Sequence, residues 1–197
     1  MKHFISKLII TISLVAITNI SFAYQNEPIG FRNMLWEDNL QKLVNQYGGY
    51  VEYDKILSNE IINDKTYIGY TKNPYISGIK IDQEIYYSFF NDKLYSIQFG
   101  ATFNNKLEFE NIFKKFLSKM KILYGEPDMQ PSFNQSEHTL FYNWFGKYNG
   151  VDIDLCVISF SERSIYTFTV TMNYLPICRE IDTAFKNIKE QEAKQGW

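Results

Sequence analysis

Side chains that could carry chemistry are few in this chain. His3 and His138 are its histidines, and Cys156 and Cys178 its cysteines. A hydrolytic triad would need His138 beside a nucleophile and an orienting acid, and no Gly-x-Ser-x-Gly turn is present. His138 lies in a polar connector, where a plain exposed histidine is expected. Two distant cysteines and His138, the histidine that stays if the leader carrying His3 is removed, do not make a zinc ligand set. No glycine-rich phosphate loop occurs, so neither a metal nor a cofactor is expected. Asp152 and Asp154 alternate onto one strand face as neighbours on an open surface, with nothing nearby to drive their pKa values apart. A hydrolase using such surface carboxylates is the catalytic alternative. The candidates for binding are aromatic: Trp36, Tyr50, Tyr53, Tyr67, Tyr70, Tyr75 and Trp144. Such rings offer contact area with a polar edge, and each also reads as an ordinary core residue.

The elements that must position these residues are legible from periodicity. In 84–90, alternation puts Ile85, Tyr87 and Phe89 on one face, and in 94–103 it does the same for Tyr95, Ile97 and Phe99. A three-residue turn, Asn91-Asp92-Lys93, would pair Phe89 with Tyr95, Tyr87 with Ile97 and Ile85 with Phe99. A two-residue turn would split the apolar face. A helix follows, with Phe109, Ile112, Phe113, Phe116, Leu117, Met120, Leu123 and Tyr124 at helical spacing, closed by Gly125 and Pro127. Earlier in the chain, 30–36 reads as a short strand. A first helix then carries Trp36, Leu40, Leu43, Val44 and Tyr47 on one side and stops at Gly48-Gly49. Between them, 50–53 and 66–71 read as strands within a region suited to a surface loop.

The last hairpin has the clearest register. With Ser161 facing Ser164, Val157 meets Phe168, Leu155 meets Val170, Ile153 meets Met172 and Val151 meets Tyr174. The opposite face carries Asp152, Asp154 and the row Thr167, Thr169, Thr171. A helix over 179–194 then turns Ile181, Ala184, Phe185 and Ile188 inward. Cys156 falls opposite Thr169, and Cys178 lies beyond the strand end. An oxidising compartment predicts that the two are bonded. That bond needs a reversal at Leu175-Pro176 to bring the last helix back over Cys156.

The two helix ends, Tyr47-Gly48 and Tyr124-Gly125, sit at like places in two similar halves. The expected fold is α+β: an antiparallel sheet with helices packed on one face, in two tandem helix-plus-three-strand units over 30–103 and 106–175. Residues 24–197 form one domain.

Residues 1–23 read as a signal peptide. Lys2, His3 and Lys7 precede an apolar run over 8–17, and Ser21-Phe22-Ala23 has the small-x-small form of a cleavage site. The run is too short to span a bilayer, which takes about 20 residues. Cleavage after Ala23 removes two lysines and no acid, taking the net charge from −2 to −4. A mildly acidic, evenly spread charge argues against nucleic acid and anionic membrane surfaces as partners. The mature chain is expected in the periplasm or outside the cell, without a membrane anchor.

Three pieces together resemble a loose group of small exported bacterial proteins of unassigned function. They are Gly30-Phe31 through Trp36 to Leu40, the hairpin 86–99 with Asn91-Asp92-Lys93 at its turn, and Tyr124-Gly125-Glu126-Pro127. Glu37 stands where that group often has Gly. The helix-then-hairpin plan also looks like the outer-membrane assembly lipoprotein BamE and the β-lactamase inhibitor protein fold. The lipobox cysteine of BamE-like proteins has no counterpart here. The resemblance implies an envelope protein that binds something, and it transfers no catalytic residue. The expected function is therefore a non-catalytic binding or accessory module with a protein partner, in one version an inhibitor. A secreted effector or its immunity partner is the other binding alternative.

Overall fold

The strands read from alternation assemble into an antiparallel sheet of seven, and with its helices the chain has an α+β fold. The structure, a computed structural model, describes residues 27–48, 51–76, 78–129, 139–146 and 150–195. The segment expected to be a signal peptide, Tyr50 and His138 lie outside the described residues. The elements in chain order begin with the paired strands β1 (Gly30–Phe31) and β2 (Met34–Leu35), then α1 (Leu40–Tyr47), β3 (Val51–Asn59) and β4 (Asp64–Tyr70). A small hairpin, β5 (Tyr75–Ile76) and β6 (Ile79–Lys80), leads to β7 (Glu84–Phe90), β8 (Lys93–Phe103) and α2 (Lys106–Tyr124). The chain continues as β9 (Thr139–Trp144), β10 (Val151–Phe160), β11 (Ile165–Tyr174) and α3 (Leu175–Gln195).

The sheet order is β3-β4-β7-β8-β11-β10-β9. The first half therefore supplies four strands, not three. Local chemistry sets the helix ends. Asn39 accepts from the Lys42 amide at 3.1 Å to start α1, and left-handed Gly48 closes it with its N–H on Val44 O at 2.9 Å. Trp36 precedes the helix instead of opening it. Asn105 caps α2 in the same way, through the Glu108 amide at 3.0 Å.

One face of the sheet is the core. Leu43 of α1 and Phe109, Phe116 and Met120 of α2 pack on Ile85, Tyr87, Phe89, Leu94, Ile97, Phe99, Leu155, Phe168 and Val170. The Phe168 ring is central, with Phe116 stacked on it at 4.6 Å and Phe113 and Phe103 beside it.

The register of β10 with β11 is the one alternation predicts, from Val151 opposite Tyr174 to Val157 opposite Phe168. The β7–β8 hairpin differs. Its turn has two residues, Asn91 and Asp92, both left-handed (φ 49° and 62°), so Phe90 pairs with Lys93 and Phe89 with Leu94. A bulge then inserts Tyr95, and Ser88 pairs with Ser96 and Tyr87 with Ile97. The bulge restores the apolar face that a short turn would otherwise split. Leu94, fully buried, takes the core place expected of Tyr95, which turns to the other side. Glu37 and Asp38 continue the β11 edge along this bulge: Glu37 N–H donates to Leu94 O and Leu94 N–H to Asp38 O, both at 2.9 Å. Glu37 is left-handed there (φ 69°), a conformation glycine adopts without cost.

The third helix departs from the one-face arrangement. It starts directly at Leu175, ahead of the expected residue 179, with Pro176 in its first turn, where a missing N–H costs nothing. It crosses one end of the opposite face, where Ile177, Ile181, Ala184 and Ile188 cover Ile62, Phe90 and Tyr95. Phe185, expected inward, is 39% exposed. Alternation leaves Phe90 and the bulged Tyr95 apolar on that side, and they need a cover.

Cys156 and Cys178 are not bonded, contrary to expectation. Leu175 N–H donates to Gly150 O, so α3 begins at the Val151 end of β10 and Cys178 lies near Asp152 and Asp64. Cys156 stands four residues further along the strand, about 13 Å away at the usual rise per residue. A disulfide needs a Cα separation of about 5.5 Å. Burial pushes both thiols up, Cys178 to about 11, so neither is poised as a nucleophile.

Candidate binding surface

Beyond the strip under α3, no helix among the described residues lies over the second sheet face. Its central row crosses all seven strands: Glu52, Ile68, Tyr86, Gln98, Thr171, Asp154 and Asn143. On the α3 side runs a polar row of Asp54, Thr66, Ser88, Ser96, Asn173 and Asp152. Within it Thr66 and Ser88 hydroxyls bond at 2.9 Å, and Ser96 donates to Asn173 Oδ1 at 2.7 Å. On the other side lie Tyr70 opposite Glu84, and Gly100, Thr169, Cys156 and Phe141. Thr102, Thr167, Ile158 and Thr139 complete a fourth row. At about 4.8 Å per strand and 6.7 Å per row its outline reaches at most roughly 29 by 20 Å, with Thr66 and Thr139 buried inside it and the fourth row confined to four strands. That outline is on the order of the ~800 Å² one partner gives to a standard interface.

Charge on these four rows is one-sided, with Lys72 beside Tyr70 just beyond them. The four rows hold Glu52, Asp54, Glu84, Asp152 and Asp154 and no lysine or arginine. Two tyrosines are fixed by the acids: Tyr70 donates to Glu52 Oε2 at 2.9 Å and Tyr86 to Glu84 Oε2 at 3.1 Å. The hydrogen bond to Glu52 raises the Tyr70 pKa, and burial, then the bond to Glu84, raises that of Tyr86. Both hydroxyls thus stay neutral donors to these side chains.

The aromatic candidates divide by face. Of the described candidates Tyr70 lies on this surface, joined by Tyr86 of the β7–β8 hairpin. Its signal was the same alternation that sends Tyr87 inward. Tyr53 and Tyr67 pair on the core side at the β3 edge, ring centroids 5.3 Å apart, with Tyr67 edge-on to Phe89. Trp144 is fully buried and donates to Gly125 O at 2.9 Å. Trp36 stacks on Tyr174 and donates to Pro28 O at 2.7 Å, so it holds the β1–β2 segment in place. Tyr75 is exposed on the β5–β6 hairpin.

Sequence reading also passed over the β3 corner. Asp54 Oδ1 accepts from the Ile56 and Leu57 amides, and Asn59 Oδ1 from that of Ile61. These turns leave Ile56 94% and Ile61 82% exposed at the sheet edge.

The two carboxylates of β10 are engaged by their own neighbours. Asp152 accepts from the Gly146 amide at 2.7 Å and Asp154 from Asn143 Nδ2. Burial raises the Asp152 pKa, and the Gly146 bond opposes it. Among the described residues no group of three His, Cys, Asp or Glu side chains is placed to hold a metal. A cleft of about 430 Å³ beside the end of α1 contains Arg32, whose guanidinium binds Thr71 Oγ1 and the Asn73 and Tyr75 carbonyls. Arg32 thereby clamps the 71–75 loop. No helix among the described residues is long and apolar enough to cross a membrane. Comparison with family models, curated proteins and solved structures finds no match.

Proposed function

We propose that the chain is an exported, non-catalytic binding protein acting on a protein partner in the envelope or outside the cell, through its uncovered sheet face. One observation carries the reading. A face on seven hydrogen-bonded strands is left open by the described residues, while α1 and α2 cover the centre of the other face and α3 one end of this one. Its tyrosines are tied to neighbouring carboxylates, so little side-chain entropy is lost when a partner docks. The resemblance to the BamE and β-lactamase inhibitor protein plan is in keeping with a binding role, and an inhibitor is one form of it.

The test is capture from the envelope fraction by immobilised wild-type protein and by a Gln98→Arg/Thr169→Arg variant. Both positions face solvent on strands, so the variant should keep its circular dichroism and melting transition. The reading expects a specific protein bound by the wild type and lost with the variant. Equal capture by both contradicts it. A hydrolytic activity abolished by Asp152→Asn/Asp154→Asn would replace it with the surface-carboxylate enzyme.

A further inference from the structure

We infer that the partner of this face is a basic protein segment, seated by its guanidinium or ammonium groups on Tyr70 and Tyr86 between Glu52 and Glu84. The inference rests on the open sheet face being the binding surface.

Charge complementarity is the argument. Ion pairs among the described residues lie off this face: Asp38–Lys42, Glu37–Lys93, Glu110–Lys106, Glu126–Lys121 and Glu190–Lys186. Where the chain has acids elsewhere it often supplies a cation, and on the four open rows it supplies none. Like charges held on one face repel, and a cationic partner relieves that repulsion. The local geometry adds a seat. Tyr70 stands opposite Glu84 on the neighbouring strand while its hydroxyl reaches Glu52 on the other side. Tyr86, next to them, binds Glu84. Glu52 and Glu84 stand two strands and one row apart, about 12 Å. A cation resting on either ring therefore has a carboxylate within reach at the ring's hydroxyl end, which combines cation–π attraction with charge pairing. Anionic lipid and nucleic acid are repelled by the same face. The central row continues for about 29 Å across the sheet, which suits an extended chain better than a single small amine.

The probe is a fluorescein-labelled deca-arginine peptide, titrated by anisotropy against the full chain at low and physiological salt, with deca-glutamate as control. Glu52→Gln/Glu84→Gln should weaken deca-arginine binding at least fivefold, whereas Glu108→Gln/Glu110→Gln on α2 should leave it unchanged. Tyr70→Ala/Tyr86→Ala should weaken it too, and Tyr70→Phe/Tyr86→Phe should retain most of it. No binding of deca-arginine, or equal loss with either acid pair, overturns the inference. Spermine binding as tightly as the peptide would also overturn it, in favour of a small amine. A captured envelope protein that is lost with Gln98→Arg/Thr169→Arg but held equally by Glu52→Gln/Glu84→Gln would sink the cationic seat alone. The binding face itself would then stand.

Discussion

Tyr95 reaches across β7 to donate a hydrogen bond from its hydroxyl to Asp64 on β4, at 3.0 Å, beneath the start of α3. Burial raises the Asp64 pKa, and the Tyr95 bond only partly opposes that. A carboxyl with a raised folded-state pKa favours folding while it is protonated, and that contribution is lost as pH rises from its unfolded value through its folded one. Asp64→Asn keeps an acceptor for Tyr95 and removes the titration. Its melting temperature relative to wild type should therefore rise as pH climbs above the ordinary carboxylate range, about pH 4, and level off once Asp64 is ionised in the folded chain. A difference independent of pH would show that Asp64 is not held in this environment.

The core prediction separates two phenylalanines one helical turn apart. Phe116 is buried and stacks on Phe168, while Phe113 is half-buried. Denaturant unfolding should show Phe116→Ala costing about 3–5 kcal/mol and Phe113→Ala about half as much. Equal losses would mean that α2 sits rotated from this orientation.

The cysteines should behave as two protected thiols. Unreduced protein should carry two alkylatable groups after denaturation, and alkylation of the native state near neutral pH should be slow. Cys156→Ser and Cys178→Ser should each leave the melting temperature insensitive to reductant. A mass two units low, or a reductant-dependent melt, would restore the bridge.

Gly100 tests the junction of the two halves. A Cβ there would lie 2.4 Å from the Phe168 carbonyl oxygen on β11. Gly100→Ala should force β8 and β11 apart and cost about 1–3 kcal/mol. A neutral substitution would mean that the junction is looser than its register implies.

Alternation made the β10–β11 register and the core side of β7 legible, because a slip of one residue there would bury Thr167, Thr169 and Thr171. The β7–β8 turn was misread for a related reason. The apolar pattern requires Tyr87 opposite Ile97, and a longer turn and a short turn with a bulge both satisfy it. Two left-handed residues, Asn91 and Asp92, favour the short turn, a local preference that periodicity does not register. The place of α3 was hidden because its cover, Phe90 and Tyr95, became one patch only through that bulge. Tyr86 stayed unnoticed as a candidate because its neighbours Glu84, Tyr70 and Glu52 come from three strands. Sequence spacing alone does not bring them together.

Hydrogen exchange of the chain, free and bound to the partner it captures, tests the central claim most directly. The account predicts protection confined to amides of the strands that carry the open face, strongest around Ile68, Tyr86, Gln98 and Thr169, with those of α2 unchanged. Protection centred on α2 or the β5–β6 hairpin, with those strands unaffected, would contradict it.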